Sequence, residues 1–202
     1  MNPNEKIQDV TGVVLAGGKS SRYGKNKALE KVQGIPLIQR AVIPMRSIFH
    51  HVVIITNTPE EYAYLNLPMH QDIIKGLGPL GGIYTGLKMI PDDAGFFVAC
   101  DMPFLNPELI RHMVEIKADF DVVVPRISGK LEALHGLYTK RCLDRIERLI
   151  HSGTYQIFRF FPEVSVRYVD DVEVRSVDPD LRSFLNINRP DELKRFGQPI
   201  SR

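Results

Sequence analysis

Short runs of consecutive apolar residues, such as Val-Val-Ile-Ile at 52–55 and Phe-Phe-Val-Ala at 96–99, alternate along the chain with stretches whose apolar positions fall three and four apart. Uninterrupted runs of that length suit strands covered on both faces; the wider spacing suits helices that bury one side. The pattern predicts strands over 12–16, 51–56, 95–100, 121–125 and 164–169. Leu37, Ile38, Ala41, Val42 and Met45 share one helical face. Pro44 is expected to bend or end that segment early, because it donates no N–H and crowds the preceding turn. Further helices are predicted over 81–89, 107–116 and 141–150, the second opening on Pro107 after Asn106, where a first-turn N–H would lack a partner anyway. The aromatic residues of 155–161 recur at helical spacing and are expected in the core. Strands alternating with helices predict an α/β fold with a mostly parallel central sheet flanked by crossover helices. No repeat, low-complexity tract or long linker interrupts the series, so 1–202 reads as one domain with 1–9 as a flexible tail.

Composition narrows the picture by exclusion. A chain of 202 residues with 44% hydrophobic and 25% charged residues has the size and balance of a domain with a real core. A net charge of +2 is too small for a dedicated nucleic-acid binder. Cys100 and Cys142 are the only cysteines, too few for a zinc cluster or a disulfide framework, and consistent with a reducing cytoplasmic home. No apolar run approaches the roughly 20 residues of a membrane span, and the polar first ten residues lack a signal peptide's apolar stretch. Neither a nucleic-acid nor a membrane partner is expected.

Charge becomes informative when it is local. Between the first predicted strand and Lys27 the chain carries Gly17, Gly18 and Gly24 with Lys19, Arg22, Lys25 and Lys27, and no acid. Glycines let backbone N–H groups approach a ligand closely, and such a turn backed by cations is an anion cradle. The spacing fits neither the Walker A loop, since Val13 stands where its first glycine belongs, nor the dinucleotide-binding pattern. In open α/β sheets the ligand crevice lies beyond the carboxyl ends of the strands. The segments that follow the predicted strands are polar: the basic loop, Thr56-Asn57, Asp72 with the glycine-rich 75–82, and Asp101-Met-Pro-Phe. Taken by itself, Asp101 admits two readings: a turn acid accepting backbone N–H groups, or a carboxylate presented to Mg²⁺, which takes one or two carboxylates plus substrate phosphates. Asn186 and Asn188, taken singly, read as turn or cap residues.

Five blocks in order give these residues a context. Leu15 through Lys27 reads Leu-Ala-Gly-Gly-x-Ser-x-Arg-x-Gly-x-x-Lys; it is followed by Gly-Pro-Leu-Gly-Gly at 78–82, Cys-Asp-Met-Pro at 100–103, Leu-His-Gly-Leu-Tyr at 134–138 and Asn-Ile-Asn-Arg-Pro-Asp-Glu-Leu at 186–193. Together they resemble the molybdenum cofactor guanylyltransferases, the MobA family of nucleotidyltransferases, across nearly the whole chain. The resemblance implies a single-domain, Rossmann-like three-layer nucleotidyltransferase fold, with a nucleotide-binding part near 10–105 and an acceptor-binding part near 106–202. It implies GTP contacts from Leu15, Ala16, Gly17, Gly18, Arg22, Lys27, Asp72, Gly78, Pro79, Leu80 and Asp101. Arg22, Lys27 and Asp101 would be catalytic, Asp101 would bind Mg²⁺, and Asn186 and Asn188 would help complete the metal and acceptor site. GTP and molybdopterin are the implied substrates, with molybdenum-insertion proteins or target molybdoenzymes as further partners. Two positions depart from the family. Some members carry a nucleotide-contacting asparagine near the end of the second strand, where this chain has Ile55, with Asn57 two positions on; Ala133 replaces a frequent proline.

The chemistry so implied is attack of an acceptor phosphate oxygen on the α-phosphate of GTP, with pyrophosphate leaving. Phosphate is already a nucleophile, so positioning and charge neutralisation suffice, and none of the six histidines stands in a triad context. Lys27 is expected at the α-phosphate and Arg22 at the leaving pyrophosphate. Arg126, Lys130 and Arg159 are candidates for the acceptor's phosphate by charge alone. Cys100 is expected to be a small buried hydrophobe, and His135 to satisfy hydrogen bonds in the core or acceptor pocket.

Overall fold

A computed structural model describes residues 5–17 and 26–187. Its strands are β1 (Val10–Leu15), β2 (Lys31–Val32), β3 (Ile35–Pro36), β4 (Val52–Ile55), β5 (Met69–His70), β6 (Ala94–Ala99), β7 (Val122–Ile127), β8 (Lys130–Leu131), β9 (His135–Thr139) and β10 (Val166–Asp170). Five α-helices accompany them: α1 (Leu37–Ile48), α2 (Pro79–Met89), α3 (Pro107–Glu115), α4 (Leu143–His151) and α5 (Asp171–Val177). The main sheet runs β10-β7-β9-β6-β1-β4-β5, with β8 paired to β7, while β2 and β3 form a separate hairpin.

Each predicted strand appears, its ends moved by one or two residues. Alternate side chains of these strands face opposite ways. Val10, Val14, Phe96 and Val98 enter one core, which α1, α3 and α5 cover. Val13, Leu15 and Phe97 enter the other, which α2 and α4 cover. Three layers result, as the resemblance implied. Parallel pairing holds for β1 with β4 and β6, β4 with β5, and β7 with β10. An inserted antiparallel strand, β9, separates β6 from β7. Sequence reading missed it because His135-Gly-Leu-Tyr-Thr has no continuous apolar run.

Three expectations need correction. Pro44 neither bends the chain out of the helix nor ends it: α1 continues to Ile48, because Met45 and Ile48 beyond it are wholly buried and that burial outweighs the one lost backbone bond. The tail is tied down from Ile7, which is buried and exchanges backbone bonds with Ile48 and His50. In the 3-10 segment Ile157–Glu163, Ile157, Phe160 and Phe161 are buried, but Tyr155 and Phe158 are 45% and 47% exposed, so the core reading fails for those two.

The chain leaves β1 toward β4 on one side and later returns to β6 on the other. That reversal places the carboxyl end of β1 at a topological switch point, where such sheets hold ligands. Helix α2 packs closely on the sheet face behind this edge. A Cβ at Gly86 would lie 2.5 Å from the Phe97 ring, so only glycine lets the helix sit there.

Candidate active site

At the switch point, β1 ends at Leu15, whose carbonyl accepts from Cys100 N–H, while Ala16 N–H donates to the Ile55 carbonyl. The backbone therefore joins the ends of β1, β4 and β6. Gly17 follows at the surface; Gly18 and Arg22 lie outside the described residues.

The described residues resume at Asn26, which organises the turn beyond it. Its Oδ1 accepts the Ala28 N–H and caps the short 3-10 turn Lys27–Leu29, while its Nδ2 donates to the Tyr62 hydroxyl at 2.6 Å and to the Glu61 carboxylate. Tyr62 is buried, and that burial pushes its phenol up to about 12, with its bond from Asn26 opposing. This clamp fixes the backbone beneath Lys27. Lys27 Nζ then reaches Asp101 Oδ2 at 2.6 Å, with the two side chains only 22% and 24% exposed. An ion pair of this length joins residues 74 apart, one at the foot of the basic loop and the other just beyond β6.

Asp101 also meets the C-terminal segment. Ile187 N–H donates to the Asp101 carbonyl at 3.1 Å, which brings the neighbouring, exposed Asn186 to the same edge. That segment is held by Asp178, whose carboxylate accepts from Arg182 and Ser183 N–H, and by Ser183 Oγ, which accepts from Asn106 N–H. Asn188 lies outside the described residues.

On the other flank, Asp72 lies beyond β5. Its carboxylate accepts from Asn57 Nδ2 at 2.7 Å, and its Oδ2 stands 4.0 Å from where a Cβ on Gly17 would be. Gly78 has φ +59° and ψ −145°, which favours glycine. It turns the chain so that Pro79 starts α2 and Leu80 is fully buried. Leu80 therefore supports the loop from the core, and Gly78 and Pro79 stand exposed at the edge.

The candidate acceptor cations are less gathered. Arg126 and Lys130 share the β7–β8 hairpin, Arg126 lying 4.9 Å from the Tyr168 ring centroid. Arg159 belongs to the 157–163 segment and lies over Phe158. His135 is fully buried, and neither ring nitrogen has a hydrogen-bond partner among the described residues, contrary to expectation. It packs edge-on against Phe96 and Phe184, and burial pushes its imidazole down to about 4, with Asp178 opposing. Burial likewise raises the Cys100 thiol to about 12, which disfavours its thiolate at neutral pH; the side chain is half-buried rather than fully buried as expected.

Sequence reading left out Asn26, Glu61 and Tyr62 and gave Asn57 no role. Asn26 had a usable signal, an N-cap residue ahead of Ala28 and Leu29; its partners, 35 and 36 residues away, had none.

Comparison with known proteins finds relatives over nearly the whole chain. Residues 12–167 match the family described as MobA-like NTP transferase domain. A molybdenum cofactor guanylyltransferase of Desulfosudis oleivorans is 38% identical over 193 residues, 95% of this chain and 96% of that protein. A probable molybdenum cofactor guanylyltransferase of Carboxydothermus hydrogenoformans is 35% identical, covering 94% and 96%. Among solved structures, molybdopterin-guanine dinucleotide biosynthesis protein A of Archaeoglobus fulgidus superposes with a TM-score of 0.80 at 28% identity, covering 93% of this chain and 97% of that one.

Proposed function

The chain belongs to the MobA-like NTP transferase family, and from that premise we propose that it transfers GMP from GTP to the terminal phosphate of molybdopterin, releasing pyrophosphate. The observation that carries this reading is the Lys27–Asp101 pair at the carboxyl edge of the sheet, where β1 ends and Gly17 follows at the surface. An ammonium and a carboxylate 2.6 Å apart address one phosphate, the first directly and the second through a cation. Asp101, a carboxylate just beyond β6, suits Mg²⁺, which takes one or two carboxylates and typically completes its shell with substrate phosphates and water. When bound, Mg²⁺ supplies charge neutralisation at the phosphate oxygens.

The chain's own groups do the rest by position. N–H groups of the loop after β1 bind nucleotide phosphates. Lys27, held from behind by the Asn26 clamp, offsets charge at the α-phosphate, and Arg22 offsets charge on the departing pyrophosphate. Asp72 and the 78–80 turn bind the nucleoside. Asn186 approaches from the acceptor side. The attacking phosphate oxygen forms its bond to the α-phosphorus as the bond to the bridging oxygen breaks, and no side chain need remove a proton.

A pyrophosphate-release assay with GTP, CTP, ATP and UTP, each with and without molybdopterin, tests this reading. Release is expected with GTP and only when molybdopterin is present. Release with CTP alone, or only with a sugar phosphate as acceptor, would assign a different nucleotidyl transfer; no release in any arm would leave a nucleotide-binding protein without this activity.

A further inference from the structure

Asn57 stands two positions beyond Ile55, the last residue of β4, with its side chain exposed. The turn that presents it is fixed from both sides: Thr56 N–H donates to the His70 carbonyl, and Thr56 Oγ1 accepts from Thr58 N–H. Asn57 then makes two bonds to one residue. Its Nδ2 donates to Asp72 Oδ2 at 2.7 Å, and its Oδ1 accepts the Asp72 N–H at 3.2 Å. A flipped amide would set an NH₂ against that N–H and an oxygen against the carboxylate, so the pairing has one orientation. The next residue is tethered from the opposite side, Ile73 N–H donating to Oγ1 of the fully buried Thr85 in α2. Asp72 is thus fixed in backbone and rotamer, one carboxylate oxygen occupied by Asn57 and facing the Gly17 backbone. Its other oxygen, Oδ1, accepts no hydrogen bond from the described residues.

We propose that Asn57 is a positioning residue for nucleotide binding: it locks Asp72 so that the remaining carboxylate oxygen is aimed at an N–H or O–H donor of the nucleoside. This rests on the GTP reading above. Asn57 does not replace the nucleotide-contacting asparagine that some family members carry at the position of Ile55; it acts through Asp72. A carboxylate held in advance loses less conformational freedom when ligand binds than one free to rotate, so the effect belongs to affinity rather than to the chemical step.

The test is GTP binding by calorimetry, with steady-state kinetics, on wild type, Asn57→Ala, Asn57→Asp, Asp72→Ala and the double variant Asn57→Ala/Asp72→Ala. Asn57→Ala is expected to weaken GTP binding about tenfold with kcat changed less than about twofold. Asn57→Asp, the same shape with no donor and an added like charge, should weaken it further. In the Asp72→Ala background the Asn57→Ala change should add less than about twofold, the non-additivity expected of a residue acting through its neighbour. Thermal midpoints should stay within about 2 °C, since the side chain is exposed. A wild type that binds GTP beside an Asn57→Ala variant within twofold of it, or a fully additive double variant, overturns this inference alone. A wild type that binds no GTP overturns the functional reading and this inference with it.

Discussion

The two sides of β6 place their polar groups differently. Toward β1, β4 and β5, polar side chains from distant segments meet in pairs at the strand ends: Lys27 with Asp101, Asn26 with Tyr62 and Glu61, Asn57 with Asp72. Toward β9, β7 and β10, Arg167 pairs with Glu173 and Arg141 with Asp121, the interior holds His135 with both ring nitrogens unpartnered among the described residues, and Arg126 and Arg159 lie over aromatic rings. Groups already paired and oriented need little reorganisation when charge arrives, which is what transfer at a phosphate requires. In the proposed reading the first region carries the chemistry of GTP, and the second, which supports the sheet, receives the acceptor.

The largest expected effect lies on the first side. Asp101→Asn keeps the shape but removes the charge that Lys27 contacts and that Mg²⁺ would share in the proposed reading, and should lower kcat by about 10²–10³-fold with an unchanged circular dichroism spectrum. Full activity in that variant would remove Asp101 from the site. Arg22→Ala should lower kcat/KM by about tenfold to a hundredfold, from charge-assisted bonds of roughly 1.5–3 kcal/mol; a change under twofold would take Arg22 out of the pyrophosphate grip.

On the second side the sharp signal is stability. The His135 imidazole is held down to about 4 in the folded chain, against about 6.5 when unfolded. The unfolded chain thus binds the extra proton, and stability is lost as pH falls from about 6.5 toward 4. At about pH 5 the loss from this group is roughly 2 kcal/mol. His135→Leu should unfold less readily than wild type at that pH and about equally at pH 8 in urea titrations; parallel pH profiles for the two would refute the assignment. The smallest effect is expected for Arg126→Ala: GTP affinity within about twofold, with KM for the acceptor raised about twofold to tenfold. Loss of GTP affinity there would erase the division between the two sides.

Much of this division was legible in the chain itself. The strands of the central sheet show as apolar runs, and the glycine loop and Asp101 stand out because they follow those runs. What escaped was non-local or locally disguised. Strand β5 is two residues long; β9 opens on a histidine and a glycine; Pro44 carries a breaker's signal inside a helix that burial of Met45 and Ile48 sustains. Asn57 and Asp72, 15 residues apart, face each other because of how the chain turns after β4 and β5, which pair in parallel, a relation no local pattern encodes.

The central claim is that the Lys27–Asp101 pair acts at the α-phosphate of GTP, and it is tested most directly by turnover of α-phosphate-labelled GTP with molybdopterin. The account predicts label in the molybdopterin product and unlabelled pyrophosphate released in equal amount. Inorganic phosphate released instead, with the label left in GDP, would contradict it.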